Sequence, residues 1–383
     1  MSDVLATNFR GGEEKQNRTP TCEHGGYRTE EEQREYAEIW KKWGYEVVSF
    51  TKQLKMSGED IILFGDRAHF YEGWKYLKKN KLLRNTVCIM IESPVVDRQC
   101  GKTLLTKVKN AFPVFLTYQD DMIDNVKFFK DWPSIRVVSE ASRSPLSWDK
   151  RGLAAIVCTN QLHMAEEGEL YSERKRIVTY FEEHEEYSFG VFGRGWDSYK
   201  NWGGAVNSKT EIYHKYKFAI CLENVRVNGY VTEKLFDCLN KGIVPVYGGA
   251  YNIAEYVPKE CFIDYFQFKD LDEMACYLNG IDEITYNQYL ENAENFLKSE
   301  EYVEFGVKGA AKRLHEAVGC LPKKFSPGVV GTFSMLYYVQ YKGSVSGMLR
   351  KWYEQIYYLL SRNRIIIGGL RKIRMFCLKF IRN

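Results

Sequence analysis

Two stretches of this sequence combine residue types that could handle a departing anion. In the first, Tyr230-Val231-Thr232-Glu233-Lys234 opens a helix whose apolar positions Leu235, Phe236 and Leu239 would face a sheet and whose expected stop is Gly242. Thr232 suits the N-cap. Lys234 then falls in the first turn, where the helix dipole disfavours a cation by roughly 0.3–1 kcal/mol. An anion bound at the same helix end, such as a diphosphate, makes that lysine favourable. Glu233 complements the dipole on its own, so capping is its simpler reading. In the second stretch, Glu223-Asn224 ends the apolar run KFAICLEN; much earlier, Glu92 ends the run TVCIMIE before Ser93-Pro94. A carboxylate and an amide beside a diphosphate could hold sugar hydroxyls, and either could equally be a solvated strand end. Together these residues suggest a nucleotide-sugar site.

Such residues need elements to place them. Strand-like runs lie at 46–50, 60–65, 86–92 and 114–119, with a helix from Thr29-Glu30-Glu31-Glu32 to about Trp43 and another over 69–81. The segment 131–151 is rich in Ser, Pro, Trp and charge and reads as a linker. A second series follows, with strands at 154–160, 187–193, 217–224, 243–249 and 261–266 and helices at 171–184 and 231–242. Near-continuous apolar strands fit parallel sheets covered on both faces. Two successive βα series predict two Rossmann-like domains facing a cleft, with ligands at the carboxyl ends of the strands.

The chain has 383 residues, too many for one ordinary core. Its 45% apolar and 27% charged residues exclude a disordered or fibrous chain. The net charge of +4 hides a split: residues 322–383 hold 12 basic residues and one acid, the rest 42 basic and 49 acidic. Residues 1–17 lack the apolar core of a secretory signal, and no run is long enough to span a bilayer. The ten cysteines form no C-x-x-C pair and mostly sit in apolar runs, as reduced buried thiols do. The six histidines show no metal-ligand spacing, and no G-x-G-x-x-G order is present for a nicotinamide. Asp120-Asp121-Met122-Ile123-Asp124 and the D-x-D at Asp270-Leu271-Asp272 invite a metal reading. Solvation or acceptor contacts suit the first better, and a helix cap suits the second.

The stretch 216–268 (YKFAICLENVRVNGYVTEKLFDCLNKGIVPVYGGAYNIAEYVPKECFIDYFQF) resembles the signature of the α-1,3-fucosyltransferases, glycosyltransferase family 10. Its E-N, Y-V-T-E-K, G-x-V-P-V-x-x-G and C-F-I-D elements stand in the family's order. Ile91-Glu92-Ser93-Pro94 and Val191-Phe192-Gly193-Arg194-Gly195 resemble two further elements. The resemblance implies an α/β GT-B fold with an acceptor domain, a GDP-fucose domain and no required metal or other cofactor. It implies inverting transfer of L-fucose from GDP-β-L-fucose to a sugar hydroxyl, usually O3 of N-acetylglucosamine. Glu92 would be the general base. Lys234 and Arg174, with Arg176 as a competing register, would neutralise the diphosphate. Glu223, Asn224, Tyr230, Thr232 and Glu233 would contact ribose, phosphate or fucose, and the Val191–Phe192–Gly193 backbone would lie near the guanine.

The expected divisions are 1–150, 151–320 and a basic tail, 321–383. From Gly347, Met348, Leu349, Trp352, Tyr353, Ile356, Tyr357 and Leu360 fall on one helical stripe bordered by Arg350, Lys351, Arg362 and Arg364. An apolar stripe flanked by cations favours an anionic membrane surface, through 345–383, over nucleic acid or docking on the chain's own body. Bacterial members of the family are similar in carrying such tails without an anchor. The expectation is a cytoplasmic enzyme, peripheral on the inner face of the membrane, acting on a cell-surface glycan or its lipid-linked precursor. Other readings are a GT-B transferase with another GDP-sugar and a catalytically silent nucleotide- or glycan-binding protein.

Overall fold

The computed structural model describes residues 30–43, 45–49, 61–65, 70–96, 105–106, 109–132, 146–161, 167–206, 208–322 and 329–333. The basic tail beyond 333, most of the polar N-terminus and residues 133–145 of the expected linker lie outside them.

The first sheet holds β1 (Glu46–Ser49), β2 (Ile61–Phe64), β3 (Thr86–Met90), β4 (Val114–Thr117), β5 (Phe128–Lys130) and a late strand, Val329–Phe333. The second holds β6 (Gly152–Val157), β7 (Phe189–Phe192), β8 (Tyr216–Leu222), β9 (Val244–Gly248) and β10 (Ile263–Asp264). With the late strand numbered β11, the orders are β1-β11-β2-β3-β4-β5 and β10-β9-β8-β6-β7. Every pairing is parallel. Two parallel α/β sheets are the architecture that the apolar strand runs predict. β2, β4, β7 and β9 are buried along their whole length, as strands covered on both faces must be.

Two boundaries differ from expectation. The second domain was expected to run to 320, yet the helix Val307–Gly319 packs on the first sheet. Its Ala311, Leu314, Ala317 and Val318 share a core with Trp40, Leu63, Val87, Leu116 and Phe129. β11 then inserts between β1 and β2, so residues 329–333 belong to the first sheet rather than to a tail. A first lobe built only from the N-terminal strands would leave β1 without a partner and one edge of β2 open, and the returning chain satisfies both. β5 was also unread, since three residues, FFK, carry too little pattern.

Six helices matter for the site and its support: α1 (Glu30–Lys42), α2 (Phe70–Lys79), α3 (Tyr171–Glu183), α4 (Lys209–Tyr213), α5 (Glu233–Asn240) and α6 (Leu271–Gly280). In α5, Leu235, Phe236 and Leu239 are buried, and Gly242 adopts φ +67° just beyond the helix end, the left-handed stop that glycine allows. The seven described cysteines are free thiols; Cys88, Cys221, Cys238 and Cys261 are buried, while Cys276 and Cys320 are exposed, against the expectation of burial. Among the described residues, no helix is long and apolar enough to cross a membrane.

Candidate active site

Glu92 lies two residues past the carboxyl end of β3, and Glu223-Asn224 follow directly on β8. Both sheets are parallel, so both strand ends open on the side where such folds hold ligands. A small apolar cluster joins the lobes beneath them: Val95 and Tyr118 from the first, Tyr171, Val225 and Tyr230 from the second. Tyr230 packs edge-on against Tyr118 at 4.9 Å. Its hydroxyl donates to Glu92 Oε1 at 3.2 Å, and Glu92 also accepts the Ser93 amide at 2.9 Å. Burial, reinforced by the Glu92 charge, holds the Tyr230 phenol well above its ordinary pKa, so it stays a donor. The sequence-predicted base from one lobe thus meets the Y-V-T-E-K segment of the other.

The next turn is built around a buried carboxylate. Glu223 is fully buried and accepts the Thr232 amide at 2.8 Å and the Thr232 hydroxyl at 2.8 and 3.0 Å. Thr232 is the N-cap of α5, as expected, and its oxygen accepts from the Lys234 amide at 3.4 Å. Lys234 Nζ reaches Thr232 Oγ1 at 2.9 Å and Glu223 and Glu233 each at 3.3 Å. Burial works against the Lys234 ammonium, but Glu223 and Glu233 outweigh it and raise its pKa above the usual lysine value. Burial also pushes the Glu223 carboxyl up, with Lys234 opposing, while in Glu233 burial is overcome by Lys234 and Lys209 and the carboxyl is held low. Lys234 is therefore a fixed cation at the amino end of α5, where helix amides also favour an anion. The expectation that Glu223 contacts donor sugar is corrected: with no exposed surface it anchors Thr232 and Lys234 instead.

Arg174 completes the cationic side. It is buried in the first turn of α3, and Nη2 donates to the carbonyls of Leu222 (2.7 Å) and Glu223 (2.8 Å) and to Asn224 Oδ1 (3.0 Å). Its guanidinium lies 4.8 Å from the Tyr171 ring centroid. All three bonds use Nη2, which leaves the Nε and Nη1 donors for a further acceptor. Arg176, the competing register, is turned away: positions two apart on a helix do not share a face, and Arg176 binds Glu173 and Tyr265. Glu169, just before α3, caps it by accepting the Tyr171 and Ser172 amides at 2.9 and 3.1 Å.

The segment Val191–Phe192–Gly193 ends β7, the edge of the second sheet. Its backbone is already occupied: Val191 bonds Asn201 and Gly203, and Gly193 bonds Gly204 through N–H and Trp202 through C=O. A base seated there would be held by shape and by neighbouring groups rather than by these amides. Gly193 has φ +114°, and a Cβ on it would lie 2.2 Å from the Cys158 carbonyl, so glycine is required.

The acidic motifs have structural employment. Asp270 is the N-cap of α6, accepting the Glu273 amide at 2.9 Å. Asp124 accepts three amides, Val126 to Phe128, at 2.7–2.9 Å. Asp120 binds Lys130 and Asn252. Sequence reasoning missed Tyr118, Lys130 and Asn252, which surround the Tyr230 loop; a basic residue ending FFK was the one available signal for Lys130.

Residues 151–310 match the family model described as the C-terminal domain of glycosyltransferase family 10 (fucosyltransferase). The match covers less than half of the chain. The matched residues span α3, α5 and every residue placed on the cationic side, whereas Glu92 lies outside them. Over 76 residues the chain is 43% identical to the α-(1,4)-fucosyltransferase of Arabidopsis thaliana, covering 19% of each. Over 104 residues it is 34% identical to the α-(1,3)-fucosyltransferase FucT of Helicobacter pylori, 26% of this chain and 22% of that one. Over 83 residues it is 36% identical to GDP-fucose protein O-fucosyltransferase 3 of Bos taurus, 21% of this chain and 17% of that one. The matches thus span about a fifth of the length of these relatives. A crystal structure of an α1,3-fucosyltransferase with GDP-fucose aligns at TM-score 0.42 and 17% identity, over 73% of this chain and 96% of that one.

Proposed function

We propose that the chain is an inverting fucosyltransferase that moves L-fucose from GDP-β-L-fucose to a sugar hydroxyl, with O3 of N-acetylglucosamine as the first candidate. The observation that carries this reading is the Glu92–Tyr230 contact, which sets a carboxylate of one lobe beside the segment that bears the cationic helix end of the other. In the reaction, Glu92 takes the acceptor proton as the acceptor oxygen forms its bond to the fucose anomeric carbon. The bond from that carbon to the β-phosphate breaks, and its electron pair leaves on GDP. Lys234, Arg174 and the amides of α5 stabilise the charge gathering on the diphosphate, a preorganised field that needs no rearrangement. A base and a leaving-group site on opposite sides of the sugar give inversion.

The relatives differ in acceptor by name: α-(1,3), α-(1,4) and protein O-fucosyltransferases. A match confined to 151–310 supports the donor and leaves the acceptor to residues elsewhere. The deciding experiment is NMR of products formed from GDP-fucose with acceptors offering free O3, free O4 or a peptide serine or threonine. An α-fucosyl product at O3 supports the full reading. Transfer from another GDP-sugar, or GDP binding without any transfer, would overturn it.

The charge of 322–383, 12 basic residues against one acid, supports action at the cytoplasmic surface of an anionic membrane on a lipid-linked glycan or its precursor. Deletion of 345–383 should abolish recovery on anionic liposomes, and unchanged recovery refutes this part.

A further inference from the structure

The loop carrying Tyr230 is gripped from the first lobe by a buried amine. Lys130 ends β5, and its Nζ donates to the carbonyl of Tyr118 at 2.9 Å, Asp120 Oδ1 at 2.5 Å, the Gly229 carbonyl at 3.2 Å and the Tyr256 hydroxyl at 3.1 Å. Asn252 closes the ring, accepting the Gly229 amide at 2.9 Å and donating to Asp120 Oδ2 at 2.8 Å. Both backbone polar groups of Gly229 are therefore held by this cluster. Gly229 has φ +75°, and a Cβ there would lie 2.2 Å from the Tyr118 carbonyl and 2.4 Å from Lys130 Nζ. The approach is so close that the loop has one seat. Tyr118, whose carbonyl Lys130 binds, is also the ring on which Tyr230 rests.

We propose that Lys130 is a positioning residue of the transfer reaction, fixing the Gly229 carbonyl so that Tyr230 stays seated between Tyr118 and Glu92. The proposal rests on the fucosyltransferase reading for its consequence in catalysis, while the loop contact stands by itself. Lys130 touches neither Glu92 nor the cationic side, so it acts only through the loop. The charged and titratable groups around it are Asp120 after β4, Asp131 beside it, Tyr256 and Glu255 after β9, and Arg313 on the helix Val307–Gly319. Burial pushes its pKa down to about 8, with Asp120 opposing and Arg313 assisting. An ammonium satisfies four acceptors with three hydrogens and a charge; the neutral amine has two hydrogens and none. The grip should therefore slacken as pH rises through about 8.

The test compares wild type with Lys130→Met and Asp120→Asn by hydrogen–deuterium exchange, GDP calorimetry and transfer rate against pH. In Lys130→Met, amides 228–232 should exchange about tenfold faster at neutral pH. The maximal rate should fall by about tenfold or more while GDP affinity holds within about twofold, since misplacement rather than binding is lost. The wild-type rate should fall above about pH 8; Lys130→Met should lack that limb, and Asp120→Asn should move it to lower pH. Unchanged exchange at 228–232 overturns the proposal whatever the transfer rate, as does an alkaline limb that neither variant moves. Should Lys130→Met fail to fold, the Asp120→Asn limb decides alone. Wild type that transfers no fucose refutes the functional reading, and the exchange comparison still decides the role of Lys130.

Discussion

Replacing Lys234 with methionine removes the cation that faces the fully buried Glu223 and keeps the aliphatic stem. Glu223 then loses a partner at 3.3 Å while keeping both bonds from Thr232. Leaving one member of a buried pair charged and alone costs about 3–5 kcal/mol. The retained Thr232 bonds and the 24% exposure of the Lys234 side chain reduce this to about 2–3 kcal/mol at pH 8. For a domain of this size that is a fall in melting temperature of about 4–12 °C. The cost should depend on pH with a definite sign. Burial already raises the Glu223 carboxyl above its ordinary 4.5, and loss of Lys234 raises it further. A carboxyl with a raised folded pKa binds a proton the unfolded chain does not, so its contribution falls as pH rises from about 4.5 through the folded value. Lys234→Met should thus fall below wild type by less near pH 5, where the lost Glu233 pair still counts, than at pH 8. Calorimetric melting of both proteins across that range is the assay. Adding Glu223→Gln, which removes the stranded charge, should recover part of the loss at pH 8. A melting difference that does not grow with pH would refute the role given to Glu223. Transfer should fall by about 10²–10³-fold in the single variant, the cost of losing one preorganised charge at a leaving group.

Glu92→Gln should lower the transfer rate by about 10²–10⁴-fold, the worth of a positioned base, with GDP affinity by calorimetry unchanged. Arg174→Lys should lose the planar fork that keeps Nε and Nη1 free as donors while Nη2 holds Leu222, Glu223 and Asn224, and with it most transfer, because lysine cannot reproduce guanidinium geometry. Arg176→Ala should alter the transfer rate by less than about twofold, since surface substitutions away from a site cost little; steady-state kinetics separates the two arginines. Asp270→Ala should remove the α6 cap, costing about 1 kcal/mol and about 2–4 °C of melting temperature. Its transfer rate should not change; a large loss of rate would revive the metal reading of that D-x-D.

The stretch 216–268 was legible because its interactions are local. Thr232, Lys234 and Gly242 follow from the start and stop rules of one helix, and α5 forms as those rules require. The apolar runs likewise announce parallel strands, since a strand covered on both faces has no polar side to show. Asp270 could be read as a cap for the same reason: cap and helix are neighbours in the chain. Glu223 was misjudged because a carboxylate at a strand end looks the same whether it meets solvent or a buried threonine nine residues on.

What spans the chain was settled only by folding. The helix Val307–Gly319 and β11 return to the first sheet because β1 and β2 need a strand between them and Leu63, Val87 and Leu116 need a cover. No local pattern in VVGTF says which sheet it joins. Arg174 is distinguished from Arg176 by helix rotation against β8, a rotation that depends on the docking of α3. The Lys130 ring draws on residues 118, 120, 130, 229, 252 and 256. Each is an ordinary strand end or turn residue in sequence. Sequence alone determined the cap and the first-turn cation of α5, because a helix end organises its own neighbours in the chain. Tertiary structure decided where Glu92 meets that segment, because the contact exists only when two lobes close on one tyrosine.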